Sequence, residues 1–100
     1  MGIKASSLQK KTTKMVHGAG GYIVNIISSS TRGVLDMVAC IHGLFWAFEI
    51  KTKTDRLSAL QRNEIDEIQD AGGKYVIITE ETNFNDLGKT ILEYSVQNKY

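Results

Sequence analysis

Residues 34–51 read Val-Leu-Asp-Met-Val-Ala-Cys-Ile-His-Gly-Leu-Phe-Trp-Ala-Phe-Glu-Ile-Lys, and this stretch decides the fold. Val34–Ile41 and Leu44–Lys51 are rich in β-branched, aromatic and aliphatic residues, which favour strands. His42-Gly43 lies between them, and a residue followed by glycine is typical of a two-residue hairpin turn. The sequence therefore predicts two antiparallel strands joined directly by a tight turn.

The predicted hairpin brings two acidic residues and a lysine together. We expect Ile41 and Leu44 to pair across the turn. That register places Asp36 opposite Glu49, where facing Cβ atoms are only about 4.5–5.5 Å apart and like charges repel unless a cation lies between them. Lys51 is two residues beyond Glu49, so strand alternation brings it to the same face. Two acids and a lysine in this arrangement are typical of metal-dependent hydrolases of phosphate esters.

A simpler interpretation treats the two acids as strand-edge charges that Lys51 bridges. Both faces of the predicted hairpin are largely apolar, so we expect interior strands covered on both sides. Cys40, the only cysteine, is then expected to be a small core residue. Buried carboxylates need a partner, and the apolar neighbours of Asp36 and Glu49 therefore favour a metal site over a surface ion pair.

The composition is that of an ordinary globular domain. The chain has 100 residues, of which 42% are hydrophobic and 23% charged, and we expect one domain over residues 1–100. A single cysteine excludes an intramolecular disulfide and a cysteine-based zinc cluster. No apolar run approaches the ~18–20 residues of a membrane span, and no secretory signal is present. We therefore expect an intracellular protein without membrane association.

Charge is distributed unevenly along the chain. Residues 1–35 contain five basic residues and no acidic one, whereas residues 36–100 contain all 11 acidic residues and seven basic ones. A basic first third suits a polyanion such as nucleic acid, and a solvated helix face explains the same charge equally well. The candidate phosphate contacts are Lys10, Lys11 and Lys14 in the first helix, Arg32 in a polar loop, and Lys53 and Arg56 after the hairpin.

The remaining elements surround the hairpin. We predict a helix over residues 3–17, a strand Tyr22–Ser28, a helix from Ser58 to about Ala71, a strand Lys74–Thr79, and a helix from Asn83 or Asn85 to about Val96. This order predicts an α/β fold with a mixed sheet flanked by helices, because a helical crossover lets the last strand run parallel to a hairpin strand. Trp46 and Phe48 alternate away from the acids and are expected in the core, and His17 and His42 at the surface.

Four segments carry a resemblance to a known family. They are Gly33-Val34-Leu35-Asp36, Phe48-Glu49-Ile50-Lys51, Arg56-Leu57-Ser58-x-x-Gln61 and Gly72-Gly73-Lys74-Tyr75-Val76-Ile77. In this order, over roughly residues 22–96, they resemble the VRR-NUC nucleases of the PD-(D/E)XK, or restriction-endonuclease-like, superfamily. The resemblance implies the αβββαβ core of that superfamily. It also implies the stand-alone form found in bacteriophage and bacterial genomes, and hence the cytoplasm of a bacterial or phage-infected cell.

The resemblance also implies roles for the site residues. Asp36 and Glu49, with the backbone carbonyl of Ile50, would hold Mg²⁺ or Mn²⁺, which prefer oxygen ligands. Lys51 would orient or help deprotonate the attacking water, or stabilise the pentacovalent phosphorane. Gln61 would contact that water or Lys51. The implied activity is a structure-selective DNA endonuclease, and cutting both strands of a four-way (Holliday) junction predicts a homodimer with two active sites.

The sequence departs from the family pattern in two ways, and the second departure leaves an alternative open. Leu35 stands where the family motif has proline, a residue without a chemical role there. The first helix of the family commonly carries a glutamate that assists metal binding, but residues 1–35 contain no acid, and Gln9 is the nearest polar candidate. This gap favours one metal ion over two. It also supports the alternative, a catalytically idle DNA-binding or assembly module that retains the nuclease fold.

Overall fold

A computed structural model describes residues 5–26, 37–51 and 59–97. Its elements are α1 (Ala5–Gly18), β1 (Tyr22–Asn25), β2 (Met37–Ile41), β3 (Leu44–Ile50), α2 (Ala59–Asp70), β4 (Lys74–Ile78) and α3 (Phe84–Gln97). The order of these elements is the predicted one. Predicted strand residues 27–28 and 34–36 lie outside the described residues. None of the described helices is long and apolar enough to cross a membrane.

The described strands form one mixed sheet in the order β1-β2-β3-β4. β1 pairs with β2 and β2 with β3 in antiparallel fashion, whereas β3 and β4 run parallel. The parallel pair is possible because α2 carries the chain from the end of β3 back to the start of β4. The predicted mixed sheet is confirmed, and β3 lies inside it with a neighbour on each side.

The hairpin between β2 and β3 has the predicted register. Ile41 pairs with Leu44, and the ladder continues to the pair of Met37 and Phe48. His42 and Gly43 form the turn with φ of 51° and 82°, the left-handed values that a type I′ turn requires at both positions. His42 also donates a 3.1 Å hydrogen bond from Nε2 to the Ala19 carbonyl oxygen, which ties the turn to the loop after α1.

One face of the sheet packs against α1 and α3 and forms the core. Trp46 and Phe48 of β3 are 3% and 0% exposed, and Leu8 of α1 and Ile91 of α3 are equally well buried. The Trp46 ring meets the Tyr94 ring edge-on, with centroids 5.7 Å apart. Burying a large apolar side chain contributes about 1.5–3 kcal/mol, so this face supplies much of the stability. The core role expected for the two β3 aromatics is confirmed.

The opposite face is only partly covered by described residues. α2 packs mainly against β4, so it shields the half of the face formed by β3 and β4. On the other half, Tyr22 of β1 is 69% exposed and Cys40 of β2 is exposed as well, and beside them Phe45, near the start of β3, is 43% exposed. The expectation of strands covered on both sides is therefore wrong for this half. Cys40 is a surface residue rather than a core residue, because its side chain points to this open half.

Alanine substitutions at two glycines, Gly73 and Gly88, give a matched test of how tightly side chains pack around them. A Cβ on Gly73 would lie 2.9 Å from Ile68 Cγ2 and 3.0 Å from Phe45 Cδ1, whereas a Cβ on Gly88 would meet Met15 Cγ at 3.7 Å, an ordinary contact. We expect Gly73→Ala to lower the free energy of unfolding by about 1–3 kcal/mol through overpacking. Gly88→Ala should raise it by about 0.5–1 kcal/mol, because alanine is the better helix former. Urea denaturation measures both, and shifts of the same sign would contradict the packing.

Candidate active site

The site predicted from the sequence lies near the carboxyl end of β3. Glu49 points away from the core, because its neighbours Phe48 and Ile50 alternate onto the core face. Even so, Glu49 is only 4% exposed. A carboxylate held this far from water is costly unless polar groups surround it. The partners of Glu49 therefore define the site.

Tyr75 of β4 is one of these partners. The parallel register pairs Ala47 with Tyr75 and Glu49 with Ile77, so Tyr75 lies diagonally beside Glu49 on the same face of the sheet. The Tyr75 hydroxyl donates a hydrogen bond to Glu49 Oε1, with 3.2 Å between the oxygens. The ring itself is half-buried. The sheet therefore supplies a donor to the buried carboxylate from a neighbouring strand.

Sequence analysis missed Tyr75 as a site residue. The segment Gly72–Ile77 contributes to the family resemblance, but the sequence leaves open which hairpin strand lies beside the last strand and in which register. The available signal was the hydroxyl group of a tyrosine directly before the apolar residues Val76–Ile78 of β4. Buried hydroxyl groups usually have a hydrogen-bond partner, but the partner is identified only when the register of β4 against β3 is known.

Lys51 directly follows β3 and is held from two sides. Its backbone N–H donates a 2.8 Å hydrogen bond to the Ile78 carbonyl oxygen, which continues the ladder with β4. Strand alternation then places its side chain on the face of Glu49. The Lys51 ammonium donates a 2.8 Å hydrogen bond to Oε1 of Gln61, on the first turn of α2. The contact between Lys51 and Gln61 that was one of the sequence predictions is thus present.

The remaining predicted site residues either lie away from Glu49 or lie outside the described residues. Asp36, the second predicted metal ligand, lies outside the described residues, as do Arg32, Lys53 and Arg56. The side chains predicted to bind DNA on α1 are all exposed: Lys10, Lys11 and Lys14. α1 packs on the core face, opposite to Glu49, and Gln9 is half-buried on the same helix. Contact of these residues with DNA or metal stays a prediction.

The oxygen atoms that could ligate a metal at this site fit a hard divalent cation. Glu49 offers a carboxylate that a hydroxyl group orients, and Ile50 offers the adjoining backbone carbonyl. Within residues 5–26, 37–51 and 59–97, no three side chains of His, Cys, Asp or Glu come together as a metal cluster. A magnesium ion does not need such a cluster, because it usually keeps several waters and takes only one or two protein carboxylates.

Comparison with known proteins identifies the fold. No family model matches the sequence, and no curated protein matches it in a sequence search. A solved structure described as a VRR-NUC domain superposes with a TM-score of 0.62, over 96% of this chain and 97% of that chain, at 16% sequence identity. The chain has the fold of a VRR-NUC domain.

The VRR-NUC fold confirms the resemblance drawn from the four sequence segments. The predicted α/β fold class is also confirmed, since the αβββαβ order and the mixed sheet with flanking helices are both present. At 16% sequence identity the similarity to that structure is a similarity of backbone fold. The likeness therefore assigns no chemical role to Glu49, Lys51 or Gln61.

Proposed function

We propose that this chain is a metal-dependent endonuclease that hydrolyses phosphodiester bonds in branched DNA. The observation that carries the proposal is the buried Glu49 carboxylate on a VRR-NUC fold. Lys51 follows two residues later, and its ammonium group is held in place by a hydrogen bond to Gln61. Burying an acid costs stability unless it is paired or binds a metal ion, and buried titratable groups of this kind cluster at functional sites.

The proposed metal ligands are Asp36, Glu49 and the backbone carbonyl of Ile50. Asp36 directly precedes Met37, whose cross-strand partner Phe48 directly precedes Glu49. The register of the described ladder therefore supports the pairing of the two acids that the sequence predicts. When bound, Mg²⁺ or Mn²⁺ would neutralise charge on the phosphate and make a water more acidic.

Lys51 would act at the reacting phosphate. An ammonium group is a compact positive charge with three N–H donors. The hydrogen bond to Gln61 holds this charge in one position before substrate arrives, and preorganised charges cost no rearrangement during the reaction. From there the ammonium would orient the attacking water or stabilise the negative charge that develops on the phosphoryl oxygens. Gln61 is thus proposed to position Lys51.

The proposed substrate is a four-way junction or related branched DNA, and the proposed active form is a symmetric homodimer. Cutting both strands of a junction needs two active sites, which a two-fold dimer supplies. Cleavage of labelled junction, flap and linear duplex with Mn²⁺ tests the substrate, and sedimentation tests the dimer. Equal cleavage of linear duplex, or a monomer with and without DNA, would contradict the respective proposal.

The lysines of α1 are the proposed phosphate contacts. Replacing Lys10, Lys11 and Lys14 together by Gln should weaken junction binding and flatten its salt dependence. Each phosphate contact contributes about 0.9 to the slope of log K against log salt concentration, so the magnitude of the slope should fall by about 2.7 for each bound protomer, or about 5.4 for the proposed dimer. Fluorescence anisotropy over a salt series measures it. Lys89→Gln, at an exposed position of α3, is the control and should change the slope little. An unchanged slope in the triple variant would refute the assignment.

A catalytically idle DNA-binding or assembly module is the second candidate function. The observation that favours it is the lack of any acidic residue in positions 1–35, because the first helix of the VRR-NUC family, which the chain resembles, commonly carries an additional acid. Calorimetric titration with Mn²⁺ separates the two candidates. A nuclease should bind Mn²⁺ in wild-type form and lose this binding in Glu49→Gln, whereas an idle module should show no binding that depends on Glu49.

A further inference from the structure

On the basis of the proposed metal-dependent function, we infer that Tyr75 is a positioning residue of the site. Its hydroxyl holds the Glu49 carboxylate in the orientation in which the carboxylate binds the metal ion. The inference concerns a side chain on β4, a strand to which the sequence motif assigns no part of the chemistry. It is carried by the direct hydrogen bond of 3.2 Å between Tyr75 Oη and Glu49 Oε1.

The sheet itself fixes this contact. The parallel ladder pairs Ala47 with Tyr75 and Glu49 with Ile77, and the backbone bond from Lys51 to the Ile78 carbonyl oxygen extends it past the site. The Cα atoms of Glu49 and Tyr75 therefore keep a constant separation. A tyrosine side chain has only two rotatable bonds before its rigid ring, so its hydroxyl group has a well-defined position relative to Glu49. A longer, more flexible donor would not define the carboxylate plane as well.

The orientation of a ligating carboxylate matters for metal binding. A glutamate has three rotatable side-chain bonds, and its two oxygens offer about four acceptor sites in the carboxylate plane. A donor bound to one oxygen restricts rotation of that plane and leaves acceptor sites for a cation in a defined direction. Partners of this kind typically change metal affinity or activity by 10–100-fold when they are removed.

A purely structural tyrosine would behave differently. Glu49 is 4% exposed, so a hydroxyl that merely satisfies a buried acceptor would contribute to folding stability. Its removal would change thermal stability and leave the metal affinity of the folded protein unaltered. A positioning tyrosine must change the affinity for metal as well. The dissociation constant of the metal therefore separates the two roles.

The test is the Mn²⁺ affinity of Tyr75→Phe, a variant that loses only the hydroxyl group. Calorimetry should give a dissociation constant for Mn²⁺ about 10-fold above that of wild type. Junction cleavage should need a correspondingly higher Mn²⁺ concentration for half-maximal rate, with the KM for DNA unchanged. Tyr94→Phe is the matched control, because it removes the same atom from a half-buried ring that packs on Trp46 at the core face. It should leave Mn²⁺ affinity unchanged.

The outcomes distinguish the role of Tyr75 from the proposed function. An unchanged Mn²⁺ dissociation constant in folded Tyr75→Phe, together with lost binding in Glu49→Gln, would overturn the role of Tyr75 and leave the function standing. Wild-type protein that binds no Mn²⁺, or binds it equally after Glu49→Gln, would overturn the metal site and the role of Tyr75 together. If circular dichroism shows partial unfolding of Tyr75→Phe, the titrations of all variants are made in sucrose, which favours the folded state.

Discussion

Replacing Lys51 by Met should lower the rate of junction cleavage by about 10²–10³-fold, the usual effect of removing one preorganised charge from a reacting centre. Methionine keeps an unbranched apolar stem of similar length but has no charge and no donor for Gln61. DNA binding should change little, because it depends on many phosphate contacts. Binding of Mn²⁺ should persist, because the proposed metal ligands are the carboxylates and a carbonyl oxygen.

Single-turnover cleavage at saturating Mn²⁺ measures the effect of Lys51→Met on the chemical step. Lys74→Met is a matched control, since Lys74 lies on the core face of β4 with its Nζ 4.4 Å from the centroid of the Tyr94 ring. That variant loses a lysine from the neighbouring strand and should cleave at nearly the wild-type rate. A Lys51→Met variant that cleaves as fast as Lys74→Met would remove Lys51 from the mechanism.

Replacing Glu49 by Gln should remove the stabilisation of the protein by Mn²⁺. A ligand present at 100 times its dissociation constant raises the free energy of unfolding by about 2.7 kcal/mol, and wild type should show this increase in urea denaturation. Glutamine has the same shape and can still accept the Tyr75 hydroxyl bond, but its neutral amide is a poor ligand for a hard cation. In EDTA the variant should be at least as stable as wild type, because no charge is buried at position 49.

The same urea series includes Glu93→Gln as the control for loss of one carboxylate. Glu93 is exposed on α3, and its replacement should leave the Mn²⁺-dependent stabilisation intact. Equal stabilisation of Glu49→Gln and wild type by Mn²⁺ would place the metal ion elsewhere on the protein.

The features that local sequence determines were predicted well. His42-Gly43 has the chemistry of a tight turn, so the pairing of Ile41 with Leu44 and the register up to Met37 and Phe48 follow from the turn alone. Helix α2 begins close to its predicted capping sequence and thereby brings Gln61 to Lys51. The acid, the lysine and the amide are thus linked by short-range rules of turns, strand alternation and helix starts.

The sequence predicted the mixed sheet but not the detailed contacts between distant segments. The position of Cys40 depends on how much of the sheet α2 covers, and an apolar strand pattern does not contain that information. The role of Tyr75 depends on the register between two parallel strands that are joined through a whole helix, and no turn fixes such a register. The hairpin register predicts Asp36 opposite Glu49, and Asp36 lies outside the described residues, so this pairing stays a prediction.

The most direct test of the proposed activity is cleavage of one labelled four-way junction with Mn²⁺ by wild type and by Glu49→Gln purified in parallel. We expect Mn²⁺-dependent cleavage by wild type and none by the variant, with both proteins binding the junction in EDTA. Binding without cleavage by wild type would contradict the nuclease and favour the idle module. Equal cleavage by both proteins would show that Glu49 is not at the centre of the activity.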